Sequence, residues 1–63
     1  PDNFYYLTEI KQFSDFETPQ IEEILYVTKD KQELINLCEQ NHLSLTGSWI
    51  VYHIRQNKAD INA

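Results

Sequence analysis

Three side chains of this sequence are of types that could do chemistry together: Cys38, His42 and His53. Cys38 and His42 are four residues apart, so on a helix they would share a face and could ligate one metal ion, with His53 as a third ligand. A thiol with a histidine base could also be a nucleophile. Cys38, however, belongs to an apolar helical stripe, where a free cysteine acts as a small hydrophobic residue. We therefore predict no catalytic residue, no metal and no cofactor, and a small thiol- or metal-dependent enzyme is only an alternative.

The segment KQFSDFETPQIEE, residues 11–23, has four carboxylates and a single basic residue. Side chains two positions apart in an extended chain lie roughly 6.6 Å apart, so Asp15 and Glu17 could imitate successive phosphates. An acidic nucleic-acid mimic that inhibits a host DNA- or RNA-binding enzyme is therefore an alternative function. We favour a solvated turn whose phenylalanines fold back onto the sheet edge. The candidate acidic contact loop comprises Asp15, Phe16, Glu17, Glu22 and Glu23.

Composition limits the classes of function that the chain can have. Its 63 residues make one domain, and ten acidic against five basic residues give a net charge of −5, which opposes direct nucleic-acid binding. A single glycine excludes the usual glycine-rich phosphate loops. The lone cysteine excludes an intramolecular disulfide and fits a reducing compartment. No apolar run approaches the roughly 18 residues of a membrane span, so we expect no membrane partner and a cytoplasmic location.

The hydrophobic pattern predicts three strands and one helix in the order β-β-α-β. Aromatic and β-branched runs indicate strands at 3–12, 22–28 and 49–56, and a change to helical periodicity indicates a helix at about 31–41. Residues 57–63 have little to pack against, so we expect a frayed tail. The predicted fold is a single α+β domain over residues 1–63, with one helix on one face of a three-stranded, mainly antiparallel sheet.

Local signals mark the ends of the helix. Asp30 followed by Glu33 resembles a capping box at its start. Asn41 is a plausible left-handed cap at its end, because asparagine tolerates a positive φ. Gly47, the only glycine, is expected to supply the tight turn in the loop that follows.

One helix covers only one face of such a sheet, so large apolar side chains are left on the other. Part of the set Tyr5, Leu7, Leu25, Val27, Trp49 and Val51 must stay uncovered, and monomers rarely expose so much contiguous apolar surface. This excess predicts a homo-oligomer and a protein partner. The candidate partner-binding residues are Tyr5, Leu7, Trp49, Val51 and Tyr52.

The segments EEILYVTKDKQEL, residues 22–34, and WIVYHI, residues 49–54, resemble small β-β-α-β proteins of bacteriophages and mobile elements. In those proteins a strand of the form E-I-x-x-V-[Y/T/S]-x-x-K-x-x-A runs into the helix; Leu34 stands near the position where they tend to have alanine. The resemblance implies a fold and a genomic setting, and no functional residues. We therefore predict a non-enzymatic protein–protein interaction module, phage- or mobile-element-derived, that self-associates and binds a host or phage protein.

Overall fold

The computed structural model describes residues 3–47 and 49–58. They form the strands β1 (Asn3–Gln12) and β2 (Ile21–Thr28), the helix α1 (Lys31–Gln40) and the strand β3 (Tyr52–Lys58). Both β2 and β3 pair antiparallel with β1, so the strand order is β2-β1-β3 and β1 is central. The predicted α+β fold in β-β-α-β order is confirmed.

The two faces of the sheet follow from the alternation of side chains along β1. Leu7 points toward α1 and is buried with Leu34 and Cys38 of the helix. These three side chains form the centre of the core, and we call this side of the sheet the covered face. Six partly buried side chains pack around the centre: Tyr5, Leu37, Leu43, Leu45, Tyr52 and Ile54.

The helix begins at a cap that also joins it to β2. The Asp30 carboxylate accepts the N–H of Gln32 at 3.0 Å, as expected of an N-cap residue. Glu33 turns to β2 rather than back to the cap: its carboxylate accepts the Tyr26 hydroxyl at 2.7 Å and the Thr28 hydroxyl at 3.0 Å. The Thr28 oxygen in turn accepts the Asp30 N–H at 3.1 Å. This network fixes the angle at which the chain leaves β2 and enters α1.

The helix ends in a left-handed residue one position later than predicted. Asn41 has a φ of −103°, whereas His42 has a φ of 58°. The N–H of His42 donates to the Glu39 carbonyl and the N–H of Leu43 donates to the Cys38 carbonyl, the pattern of a Schellman motif. Leu43 then packs against the core, which favours this ending over one at asparagine.

The third strand starts three residues later and ends two residues later than predicted. It begins at Tyr52 rather than Trp49, although the Val51 carbonyl still accepts the Ile10 N–H at 2.9 Å. It extends to Lys58, so the first two residues of the predicted tail pair with the start of β1. Pairing with a ten-residue central strand sets these limits. Residues 59–63 of the predicted tail lie outside the described residues.

Candidate interaction surfaces

The thiol and the two histidines are not brought together. Cys38 is buried in the core, where desolvation raises the pKa of its thiol. His42 is exposed beyond the end of α1, and His53 is in register with Thr8, whose side chain lies on the face opposite the helix. Within 3–47 and 49–58, no group of three or more His, Cys, Asp or Glu side chains is placed to hold a metal ion.

Three of the five candidate partner-binding residues belong to the covered face. Leu7 is only 1% exposed, and Tyr5 and Tyr52 pack against its cluster. Leu7 is closed to a partner because the odd-numbered residues of β1 face the helix, whereas a partner contact at the partly exposed Tyr5 and Tyr52 stays a prediction. Trp49, in contrast, is 80% exposed, and Val51 is half-buried, just before β3.

The opposite side of the sheet, which we call the open face, has a polar bridge at its centre. Arg55 is in register with Tyr6, and Glu22 is in register with Ile10 on the other side of the central strand. The Arg55 guanidinium binds the Glu22 carboxylate at two points, with Nε–Oε2 and Nη2–Oε1 distances of 3.0 and 2.5 Å. These hydrogen bonds hold the pKa of Glu22 well down, at about 2.

The edge strand β2 is the most exposed apolar element. Its pairing shifts from Leu7–Tyr26 to Thr8–Ile24, so Leu25 is the extra residue of a β-bulge. On the open face, Ile24 and Val27 are 59% and 56% exposed. Strict alternation of side chains predicts that Val27 is one of the uncovered apolar residues, but it does not predict Ile24. The bulge is the reason, because it puts Ile24 and Val27, three positions apart, on the same face. The exposed apolar side chains of β2 are Ile21, Ile24, Leu25, Tyr26 and Val27.

The connection between β1 and β2 is a closed turn organised by Asp15. The Asp15 Oδ1 accepts the N–H groups of Glu17 and Thr18 at 2.9 and 2.8 Å, and its own N–H donates to the Thr18 carbonyl at 2.9 Å. Hydrogen bonds from Thr18 and Glu17 lower the pKa of Asp15. A further bond runs from the Gln12 amide to the Pro19 carbonyl at 2.8 Å.

Two of the four candidate carboxylates are engaged by cations of this chain. Glu22 binds Arg55, and Glu23 lies 3.3 Å from the Lys11 ammonium, which also contacts Glu9. A phosphate mimic needs carboxylates that are open to a partner. The structure therefore leaves Asp15 and Glu17, at the exposed turn, as the candidates for a contact with another molecule.

Three exposed aromatic side chains lie in the connection after β1 and just before β3, and we call them the aromatic tip: Phe13, Phe16 and Trp49. The rings of Phe13 and Trp49 meet edge to face, with centroids 5.9 Å apart and an interplanar angle of 82°. Phe16 is 99% exposed, so the expectation that both phenylalanines fold back onto the sheet edge is wrong for this residue.

A cleft of about 370 Å³ lies between α1 and β3, and its lining is mixed polar and apolar. Tyr52 and Ile54 form part of it and also pack on the core. The lining residues are Lys31, Ile35, Leu45, Tyr52, His53 and Ile54.

Comparison with known proteins found no matching family model, no similar curated protein and no similar solved structure. No helix in the described parts of the chain has the length and apolar character needed to cross a lipid bilayer. What these surfaces can bind therefore has to follow from their own geometry and charge.

Proposed function

We propose that the protein is a non-enzymatic interaction module that pairs with a second copy of itself along β2 and binds a further protein. The observation that carries this proposal is the edge strand β2, where five large apolar side chains are exposed. An edge strand also presents unpaired backbone N–H and C=O groups on its outer side, which are a template for another strand. Apolar area and backbone pairing act together there.

The other edge strand of the sheet, β3, is less suited to association. The apolar side chains of β3, Tyr52 and Ile54, pack against the core, while the polar residues Gln56 and Asn57 are exposed. Polar side chains are one means by which natural edge strands avoid association. The contrast between the two edges supports β2 as the site of pairing.

Antiparallel self-pairing fits the order of residues in β2. With a two-fold axis between Leu25 and Tyr26, Ile24 of each copy opposes Val27 of the other, and both side chains lie on the open face. Glu23 then opposes Thr28, so like charges do not meet. A domain of this size buries a smaller fraction of its surface than a larger domain does, and it gains stability from such a contact.

The setting of the module is part of the proposal. The resemblance to small phage and mobile-element proteins supports a host or phage protein as the further partner. The buried, unpaired thiol of Cys38 is compatible with a reducing compartment, and we propose that the module acts in the cytoplasm.

Sedimentation equilibrium over a micromolar concentration range tests self-pairing. We expect the wild type to approach twice the 7.5 kDa of one chain. Val27→Lys should remain folded by circular dichroism, because the side chain is exposed, and should sediment as a monomer. Gln56→Lys adds the same charge to the other edge and should remain a dimer. A wild type that stays at 7.5 kDa throughout, or dissociation by Gln56→Lys but not by Val27→Lys, would overturn self-pairing along β2.

A further inference from the structure

We propose that the aromatic tip, with Asp15 and Glu17 beside it, is the docking surface for a basic segment of the partner protein, in which Lys or Arg stands next to an aliphatic or aromatic residue. This inference rests on the proposed binding function, whose partner it describes. It does not rest on self-pairing, because its residues lie outside β2. The exposure of the three rings, the closed turn and the balance of charge each support it.

Exposure shows that the rings of the tip are available. Phe16 is almost wholly exposed and Trp49 largely so, and thus neither ring contributes much to the core. Large aromatic side chains are enriched at protein interfaces and among the residues that dominate binding free energy. A partner that covers these rings removes apolar area from water without any rearrangement of the core.

The turn presents Phe16 in a fixed backbone conformation. Phe16 lies between Asp15 and Glu17, inside the loop that the Asp15 carboxylate closes through two backbone N–H groups. The edge-to-face contact with Phe13 likewise restrains Trp49. Because the backbone of the turn and the Trp49 ring are restrained before binding, docking costs less conformational entropy than it would at a flexible loop.

The balance of charge selects a cationic partner. Glu22 pairs with Arg55, and Glu23 shares Lys11 with Glu9, whereas no ion pair among the described residues involves Asp15 or Glu17. The lowered pKa of the Asp15 carboxyl keeps it ionised at neutral pH. A Lys or Arg side chain would be attracted by both carboxylates, and its cation can also lie over the face of an aromatic ring.

The same charges oppose the two other common ligands of aromatic surfaces. Single-stranded nucleic acid stacks on aromatic rings but requires a basic groove for its phosphates. An anionic lipid surface attracts basic residues, whereas the tip is acidic and the chain has a net charge of −5. A basic, partly apolar protein segment is the ligand that satisfies both the rings and the carboxylates.

A library of random peptides displayed on yeast and selected against the full chain tests the proposal. We expect the selected peptides to carry Lys or Arg beside an apolar residue and to bind more weakly as sodium chloride is raised. Phe16→Ala should weaken the binding of a selected synthetic peptide by about tenfold or more, the loss typical of truncating a dominant interface residue. Phe16 is nearly fully exposed, so this variant should keep the fold.

Matched charge variants separate the tip from the rest of the surface. Asp15→Asn/Glu17→Gln retains an oxygen at position 15 to close the turn and should also weaken peptide binding. Glu39→Gln removes an exposed carboxylate from α1 and should leave binding unchanged. The proposal is overturned if no peptides are enriched, if enriched peptides lack basic residues, if they bind Phe16→Ala as tightly as wild type, or if the tip prefers single-stranded DNA or anionic vesicles.

The monomeric variant distinguishes the two proposals. Val27→Lys should bind the selected peptide as the wild type does, since position 27 lies on β2 and not at the tip. If the wild type is always monomeric and still binds the peptide through Phe16, the docking surface is supported and self-pairing is contradicted. If the wild type is a dimer but no peptide is enriched, self-pairing is supported and the docking surface is contradicted.

Discussion

Arg55 on β3 reaches across the central strand and holds Glu22 on β2 through two hydrogen bonds, although the two residues are 33 positions apart in the chain. Between them lies Thr8, which is 1% exposed even though it is on the face that no helix covers. The Thr8 hydroxyl is itself satisfied, since it donates to the His53 carbonyl at 3.5 Å and interacts with Glu22. The ion pair thus covers the middle of the open face and links its two edge strands.

Removing one member of this pair should destabilise the fold. We expect Glu22→Gln to lower the free energy of unfolding by about 1–2 kcal/mol, because both side chains remain partly exposed and water screens the ion pair. Urea denaturation followed by circular dichroism measures the change. Glu39→Gln, which removes a carboxylate from the exposed side of α1, is the control and should change stability by less than about 0.5 kcal/mol. Equal losses in the two variants would show that the pair contributes nothing.

This result bears on the acidic-mimic alternative as well. Neutralising all four carboxylates of the connection would remove the partner of Arg55 and damage the fold together with any contact. Asp15→Asn/Glu17→Gln neutralises the other two acidic groups of the connection and leaves the ion pairs of Glu22 and Glu23 in place. That double variant is therefore the one whose binding can be interpreted.

Acidification should lower the stability of the fold through protonation of the Glu22 carboxylate. The pKa of Glu22 is lowered from 4.5 to about 2 in the folded state, so its contribution is fully present above pH 4.5 and is lost as the pH falls toward 2. Asp15 and Glu33 also have lowered pKa values, and they add to the loss in the same direction. Comparing the urea midpoints of wild type and Glu22→Gln between pH 6 and pH 2 isolates the contribution of Glu22 to the pH dependence of stability. We expect the two curves to converge at low pH; a constant separation would contradict the assignment.

Local signals in the sequence predicted the elements well, and non-local pairing explains the errors. The limits of β1 were predicted correctly from an unbroken run of strand-forming residues, and Asp30 marked the start of α1. The predicted position of β3 was wrong because the register between β3 and the central strand decides which residues pair. The alternation of side chains within β3 carries no information about that register. The left-handed residue moved from Asn41 to His42 because Leu43 can then reach the core.

The candidate surfaces were less predictable, for the same physical reason. Which side of β1 faces the helix depends on packing, so Tyr5 and Leu7 were placed at an interface although they lie in or against the core. The ion pair of Glu22 with Arg55 joins distant segments and leaves no local pattern. The turn around Phe16, in contrast, had a readable signal, because an aspartate at position 15 with Thr18 three residues later is a common way to close a loop.

Variants of Leu7 and Trp49 should distinguish an effect on folding from an effect on binding. Leu7→Ala removes most of a fully buried side chain and should cost about 2–5 kcal/mol, enough to unfold a domain this small. Trp49→Ala truncates a side chain that is largely exposed, so it loses its contact with Phe13 and little else, and stability should change by less than about 1 kcal/mol. The same tryptophan variant should nevertheless bind the selected basic peptide more weakly. Thermal denaturation and fluorescence anisotropy with that peptide measure the two effects. Unfolding of Trp49→Ala would give this residue a role in the core, and unchanged peptide binding by the folded variant would exclude it from the docking surface.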